Sequence, residues 1–308
     1  METLYLTHQD CRLHYMGPGH PECPERLDAI SDQLLTSGLA SYIQSEDVLR
    51  EASDEDLLRV HAAAHIQRLA ENSPTEGLFD IDGDTLMNAH TLRAARLSAG
   101  GVMQAVDAVM SGQAANVFCG VRPPGHHATS SRAMGFCFFN NIAVAAAYAM
   151  AQYGLKRVAI IDFDVHHGNG TEAIFAGDER VLMCSYFQYP LFPNTGVHDQ
   201  APNMVNVPVA AYSKGDEIRD LVLAQWLPRL KQHQPELVFI SAGFDAHRED
   251  DMAQLGLVEA DYVWLTQQIM SVADESAGGR IVSALEGGYN LSALARSVVA
   301  HVRTLAKL

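Results

Sequence analysis

The chain has 308 residues, 48% of them hydrophobic and 19% charged, which is too apolar for a disordered polymer and long enough to bury a large core. Acidic side chains outnumber basic ones by 37 to 21, and the formal net charge of −16 opposes binding to nucleic acid or to an anionic membrane. A core of this size folds without a disulfide or structural metal, so any metal site read from the sequence points to chemistry.

In chain order, the opening Met-Glu-Thr-Leu-Tyr-Leu lacks the basic and apolar regions of a secretion signal. Leu92, Ala95, Ala99, Val102, Met103, Val106, Val109 and Met110 recur at helical spacing, and an apolar strand is predicted over 116–121. The apolar helix predicted over 142–151 is shorter than the roughly 18 residues a membrane span needs. Short apolar runs, several rich in Val and Ile, follow at 157–162, 181–185, 204–207, 237–242 and 281–285, the pattern of strands buried on both faces. Ile218, Leu221, Val222, Leu227 and Leu230 mark a helix, and Leu291, Leu294, Ala295, Val298, Val299, Val302 and Leu305 mark the last one. With no linker, repeat or charge block, the alternation predicts a single α/β domain over 1–308, its mainly parallel central sheet flanked by helices. Cys11, Cys23, Cys119, Cys137 and Cys184 are odd in number and form no Cys-x-x-Cys pair. They read as reduced thiols in a cytoplasmic protein.

The chemistry-bearing residues fall just past four predicted strands: Arg122-Pro-Pro-Gly-His126-His127, Asp162-Phe-Asp164-Val-His166-His167-Gly168, Gly243-Phe-Asp245 and Glu286-Gly-Gly-Tyr289. In a parallel α/β sheet that edge is where loops converge on a ligand crevice, whereas packing would place Val and Leu there. Residues i and i+2 of an extended backbone face one side, so Asp164 and His166 are predicted to aim at one point, with Asp245 as a third ligand. Two carboxylates and an imidazole leave a fourth position open, as in a catalytic zinc or ferrous site. The competing reading makes Asp164 and Asp245 helix caps and His166 an ordinary loop residue.

His126 and His127 sit on a turn stiffened by Pro123, Pro124 and Gly125. Beside a metal-polarised water, an imidazole takes a proton and returns it to a leaving amine, which is amide hydrolysis. Asp162 and Asn169 are the candidates for fixing the imidazole tautomer, and Tyr289 for donating its phenol to a carbonyl oxygen. The competing reading makes them two surface histidines and a plain Gly-Gly-Tyr loop. Two patterns are set aside: His61-Ala-Ala-Ala-His65 has ligand spacing but no following Glu or third ligand, and Gly168-Asn-Gly170 lacks the Lys-Ser/Thr end of a phosphate loop and is predicted to be a turn.

Taken together, Gly19-His-Pro-Glu-Cys-Pro-Glu-Arg-Leu27, Arg122 to His127, Gly135-Phe-Cys-Phe-Phe-Asn-Asn141, Asp162 to Thr171, Ser241-Ala-Gly-Phe-Asp245 and Glu286 to Tyr289 follow one family's order. The chain resembles the zinc-dependent histone deacetylase superfamily, which includes acetylpolyamine amidohydrolases and acetoin-utilisation proteins, from about residue 4 to about residue 300. The His-Pro-Glu-x-Pro-Glu-Arg run and Asn169 are similar to the class II branch; class I members carry Asp at the latter position. The resemblance implies an arginase-like fold with one zinc ion on Asp164, His166 and Asp245. It implies His127 as the main general base and acid, His126 assisting electrostatically and oriented by Asp162, and Tyr289 polarising the acyl carbonyl. It further implies that Gly135, Phe136 and Phe192 line an acyl-lysine tunnel, that Met252 and either Asp82 or Asp84 stand at its rim, and that Arg26 lies near an internal acetate channel. A structural potassium ion would use Asp162, Asp164, His166 and Ser185, largely through backbone oxygens. Weakly active relatives replace the catalytic Tyr, which this chain keeps, so an active hydrolase is expected.

The partner implied is the acylated lysine of a protein or an acylated small amine, with homo-oligomerisation left open. A dinuclear manganese ureohydrolase needs Asp-x-His-x-Asp, but Gly168 stands where the bridging carboxylate belongs. A haloacid-dehalogenase-like phosphatase would explain Ile160 to Val165 but not the histidines, and a non-enzymatic acyl-lysine reader would have lost a ligand or the Tyr. Polyamine-selective relatives carry a rim Glu where this chain has Met252, which favours acyl-lysine over acetylpolyamine, although Glu249, Asp250 and Asp251 stand beside it.

Overall fold

Eight parallel strands form the centre of the computed structural model, which describes residues 2–198 and 200–308. In chain order the strands are β1 (Thr3–Thr7), β2 (Gln44–Asp47), the short pair β3 (Phe79–Asp80) and β4 (Leu86–Met87), β5 (Asn116–Cys119), β6 (Val158–Asp162), β7 (Val181–Gln188), β8 (Met204–Val209), β9 (Leu237–Ala242) and β10 (Ile281–Leu285). The sheet runs β2-β1-β5-β10-β9-β6-β7-β8, while β3 and β4 make a separate antiparallel hairpin. All six predicted strands are present, with β5 ending two residues early and β7 and β8 running further.

Two sheet strands had no prediction, for different reasons. Thr3–Thr7 is a buried strand, but its apolar stretch is only Leu4 to Leu6 between two threonines, which gives neither a long apolar run nor a clear period. Gln44–Asp47 is wholly exposed and polar, and only its backbone pairing with β1 makes it a strand.

Neighbouring residues on a strand point to opposite faces, and β5 shows that both faces are covered. The Cys119 thiol lies 3.7 Å from the Gly101 carbonyl of helix Thr91–Ser111, whereas the Phe118 ring meets His301 of helix Leu291–Leu305 at 5.7 Å. Helix Asn141–Tyr153 packs beside the first, and helices Glu25–Thr36 and Glu259–Ser276 pack against the second. The helix expected around residues 218–230 is Gly215–Leu221 and Leu227–His233, joined by a π-helical turn over Val222–Trp226. Pro228 follows that turn and has no N–H to continue the regular ladder. No helix among the described residues is long and apolar enough to cross a membrane.

His301 is buried between the sheet and its helix layer, with Nδ1 2.7 Å from Thr266 Oγ1 and Nε2 2.9 Å from Ser283 Oγ. Burial pushes it down to about 3, so below the ordinary imidazole value of 6.5 the unfolded chain binds a proton that the folded chain refuses. Its contribution to stability is therefore present above pH 6.5 and is lost progressively as pH falls towards 3. His301→Gln should make the pH slope of the unfolding free energy between pH 6.5 and 4.5 shallower by about 1.4 kcal/mol per pH unit relative to the parent. Denaturant titrations at a series of pH values measure this, and equal slopes would contradict it.

A candidate metal centre at the carboxyl edge of the sheet

The four polar clusters follow β5, β10, β9 and β6, four strands adjacent at the centre of the sheet, so their loops meet over one spot. Asp164 and His166 do not lie on extended backbone as the i, i+2 argument assumed. They sit in a bend just past β6, where the His166 N–H donates to Asp164 Oδ1 at 2.9 Å and folds the imidazole back beside the carboxylate. The convergence is as expected, but the turn produces it. The Val165 N–H fixes Asp245 through Oδ1 at 2.9 Å, and the Gly287 N–H fixes Asp164 through Oδ2 at 2.8 Å.

His166 Nδ1 lies 3.1 Å from Asp164 Oδ1 and 3.2 Å from Asp245 Oδ2, and all three side chains are buried. A tetrahedral ion about 2.0–2.2 Å from each donor would separate neighbouring donors by about 3.3–3.6 Å, so the three fit around one small divalent cation with little movement. Their electrostatics ask for positive charge. Burial and the Asp164 charge push Asp245 up to about 7, while the two carboxylates overcome burial and lift His166 to about 10. A cation in place of that proton would satisfy both carboxylates. Among the described residues this is the one group of three such donors close enough to share an ion. Asp164 and Asp245 are thus not simple helix caps.

Glycines make the cradle. A Cβ on Gly243 would fall 2.0 Å from Asp164 Oδ2, and one on Gly287 2.1 Å from Asp245 Oδ2.

His126 and His127 stand beside the centre with their rings 4.0 Å apart, and opposite partners give them opposite characters. His126 Nδ1 is 3.0 Å from Asp162 Oδ2; burial opposes its charge, but Asp162, Asp164 and Glu286 outweigh burial and hold it well above the usual imidazole value. His127 is pushed well below that value by burial and by the positive His126 and His166 rings. Its Nδ1 lies 2.8 Å from Asn169 Oδ1, an acceptor, so Nδ1 carries the proton and Nε2 keeps a free lone pair. Asn169 opens helix Asn169–Phe175, so Gly168-Asn-Gly170 is a helix start and not a free turn. His167 faces away, with Nδ1 2.8 Å from Thr195 Oγ1 and Nε2 2.6 Å from Glu172.

Aromatic side chains wall the approach. Phe192 stands 5.0 Å from the His127 ring and 6.3 Å from His166, and Phe136 stands 5.8 Å from the partly buried Tyr289. Gly135 has φ +56°, and a Cβ there would meet His127 at 2.5 Å. Burial raises the Tyr289 phenol well above its ordinary value, with the Asp245 charge adding to the effect. Ser185 pairs with Asp162 in the β6–β7 register, which places it beside the carboxyl end of β6. Met252 is partly buried on the core, and Asp84 is an exposed residue beside Thr85 whose carboxyl is raised by partial desolvation and by the Asp82 charge. Of the rim acids, Glu249 pairs with Arg296 at 2.9 Å and Asp250 is buried, which leaves Asp251 exposed.

Three supporting residues, Glu286, Arg122 and Glu22, carried no assigned role in the sequence. Glu286 Oε2 accepts the Gly125 and His126 N–H groups at 2.7 and 3.1 Å, and its Oε1 accepts Ser241 Oγ at 3.0 Å, pinning the histidine turn to β10. Arg122 points inward and pairs with buried Glu22, which also holds Arg26 at 3.1 Å. Arg26 in turn donates to the carbonyls of Gly288 and Glu286 at 2.7 and 2.5 Å, and its guanidinium lies 5.0 Å from the Tyr289 ring. His61 is no metal ligand. Its Nδ1 is 3.0 Å from the Thr129 carbonyl and its Nε2 accepts the Asn140 N–H at 3.0 Å, while His65 Nε2 meets the Phe138 carbonyl at 2.9 Å. The pair latches the loop that carries Gly135 and Phe136. Only the carboxylate at the end of β10, next to Gly-Gly, offered a hint of such roles in the sequence.

A parallel α/β sheet whose carboxyl edge holds a buried two-carboxylate, one-imidazole centre beside a neutral imidazole defines the class: a protein built for metal-assisted hydrolysis. Known proteins give the family. The histone deacetylase domain matches residues 20–305. The chain is 38% identical over 297 residues to an uncharacterised protein, slr0245, of Synechocystis, covering 95% of each. It is 39% identical to the histone deacetylase-like amidohydrolase of Pseudomonas aeruginosa, over 88% of this chain and 73% of that protein. The crystal structure of the HDA15 HD domain superposes with a TM-score of 0.93 at 34% identity, covering 100% of this chain and 90% of that one. The chain belongs to the histone deacetylase family, as an amidohydrolase with the arginase/deacetylase fold.

The glycine cradle gives a direct check on the geometry. Gly287→Ala forces a methyl group into the space of the Asp245 carboxylate and should weaken divalent-metal binding by roughly 100-fold or more. Competition with a chromogenic chelator measures it; affinity within about threefold of the parent would contradict the arrangement.

Proposed function

We propose that the chain is a zinc-dependent deacylase that removes acetyl or related acyl groups from lysine side chains or similar acylated amines. The observation that carries the reading is the pairing of the Asp164, His166 and Asp245 centre with a His127 ring kept neutral and oriented by Asn169. One zinc ion held by those three residues would supply Lewis-acid polarisation of the amide carbonyl and a water acidic enough to lose a proton near neutral pH. His127 Nε2 takes a proton and later returns it to the departing amine. His126, kept cationic by Asp162, sets positive charge beside the negative charge that develops, and its own charge keeps His127 free of a proton in the resting state. Tyr289 stays protonated and donates its phenol hydrogen to the carbonyl oxygen. Gly135, Phe136 and Phe192 hold the alkyl chain of the acylated amine and keep bulk water away.

Asp162, Asp164, His166 and Ser185 are the residues for a structural potassium ion, and the pairing of Ser185 with Asp162 at the end of β6 supports that assignment. Five free thiols, four of them buried, support a reducing, cytoplasmic location. Met252 offers apolar contact at the rim, and two of the three neighbouring acids are already engaged, which supports acyl-lysine over acetylpolyamine.

Tyr289→Phe should retain zinc and lower turnover by roughly 10²–10³, the loss expected for one oxyanion donor. Turnover within about threefold of the parent would show that the phenol does not act on the substrate. On the parent enzyme, kcat/KM for an acetyl-lysine peptide should exceed that for N8-acetylspermidine. A polyamine preference of about tenfold, or about 1.4 kcal/mol, would overturn the substrate assignment.

A further inference from the structure

Asp250 is an acid at the mouth of the site by sequence position, yet the structure leaves it no freedom to meet a substrate. It is 5% exposed, and both carboxylate oxygens are taken by backbone N–H groups. Oδ1 accepts from Met252 at 3.0 Å, and Oδ2 accepts from Tyr289 at 2.6 Å and from Asn290 at 2.9 Å. The Tyr289 N–H belongs to the same peptide unit as the Gly288 carbonyl, and that carbonyl accepts from Arg26 Nε at 2.7 Å. One peptide plane is therefore gripped at both ends, by a carboxylate on its nitrogen and a guanidinium on its oxygen.

The grip matters because of what precedes it. Gly288 has φ +118°, in a region that glycine alone enters freely, so the backbone just before Tyr289 has little conformational resistance of its own. Downstream, Asn290 caps helix Leu291–Leu305 by accepting the Ala293 N–H at 3.0 Å, which anchors the far side of Tyr289. A rotation of the Gly288–Tyr289 peptide between a free glycine and a fixed helix would swing the phenol, and a displacement of about 1 Å at a reacting group costs on the order of 100-fold in rate.

We propose that Asp250 is a positioning residue that aims the Tyr289 phenol by clamping the Gly288–Tyr289 peptide against Arg26. This rests on Tyr289 acting in the reaction, as argued above, and adds that the rim segment from Asp245 to Met252 sets its position. The negative charge also suits the amino end of the helix, where free N–H groups gather.

The test is a double-mutant cycle of Asp250→Ala with Tyr289→Phe, scored by kcat, KM and zinc content. Asp250→Ala alone should lower kcat by roughly 30-fold or more, with KM within about threefold and one zinc ion retained. In the Tyr289→Phe background the same change should lower kcat by less than about threefold, because the group it positions is gone. Asp250→Asn keeps one acceptor oxygen but turns an NH2 donor toward the N–H of Met252, so it should recover only part of the activity. If Asp250→Ala does not fold, Asp250→Asn in both backgrounds carries the cycle, with a loss of roughly fivefold or more expected against Tyr289 and little against Phe. Losses that multiply fully across the two positions, or an Asp250→Ala enzyme as fast as the parent, would overturn the proposal. A fully active Tyr289→Phe enzyme would instead overturn the role of Tyr289 itself, so the two failures are distinct.

Discussion

The site depends on a repulsion that the fold deliberately encloses. Two carboxylates lie with an imidazole inside 4.8 Å of one another, all three buried. Two full charges at that distance cost about 3 to 4 kcal/mol even at an effective dielectric constant of 20, which exceeds what most single contacts return. The chain offsets part of this with backbone N–H groups from Val165, His166 and Gly287, each aimed at a carboxylate oxygen. These N–H groups fix the oxygens in place but leave the charge uncompensated. A cation would complete the arrangement, and three protein donors leave it the open coordination position that a catalytic centre needs.

The surrounding architecture holds that cluster against its tendency to spread. Four central strands deliver the four loops, and buried ionic side chains stitch the loops together below the metal ligands. Glu286 ties the histidine turn to β10, while Glu22 gathers Arg122 and Arg26 into one buried network. Such pairs contribute little net stability because desolvation cancels much of the attraction, but removing one partner leaves the other stranded. Their value here lies in geometry: Glu286 holds the backbone N–H groups of the turn that presents His126 and His127, and Arg26 holds the Gly288 carbonyl just before Tyr289. The same logic separates two adjacent histidines into a cation and a neutral base, with Asp162 facing one ring and the uncharged Asn169 facing the other.

Much of this was legible in the sequence because two signals are local. Val158–Asp162 and Leu237–Ala242 are buried on both faces and so appear as unbroken apolar runs, and polar clusters just past such runs have few packing explanations. What stayed hidden depends on distant partners. Gln44–Asp47 carries no side-chain pattern and is a strand only because β1 lies beside it. Asp250 looks like a rim acid until the fold brings Tyr289 and Asn290 to its oxygens across some forty residues. His61 and His65 have a ligand's spacing, and only the folded loop from Thr129 to Asn140 shows them holding backbone. The bend that aims His166 at Asp164 was likewise invisible, since an extended segment and an Asp-centred turn both bring the two groups together.

The central claim is that one zinc ion completes the Asp164, His166 and Asp245 cluster, and metal stoichiometry tests it most directly. Elemental analysis of the purified protein, after dialysis against a weak chelator, is expected to give one zinc ion per chain, with amide hydrolysis lost on stripping and restored by one equivalent of zinc. Two tightly held manganese ions per chain, or full hydrolysis by metal-free protein, would contradict the account.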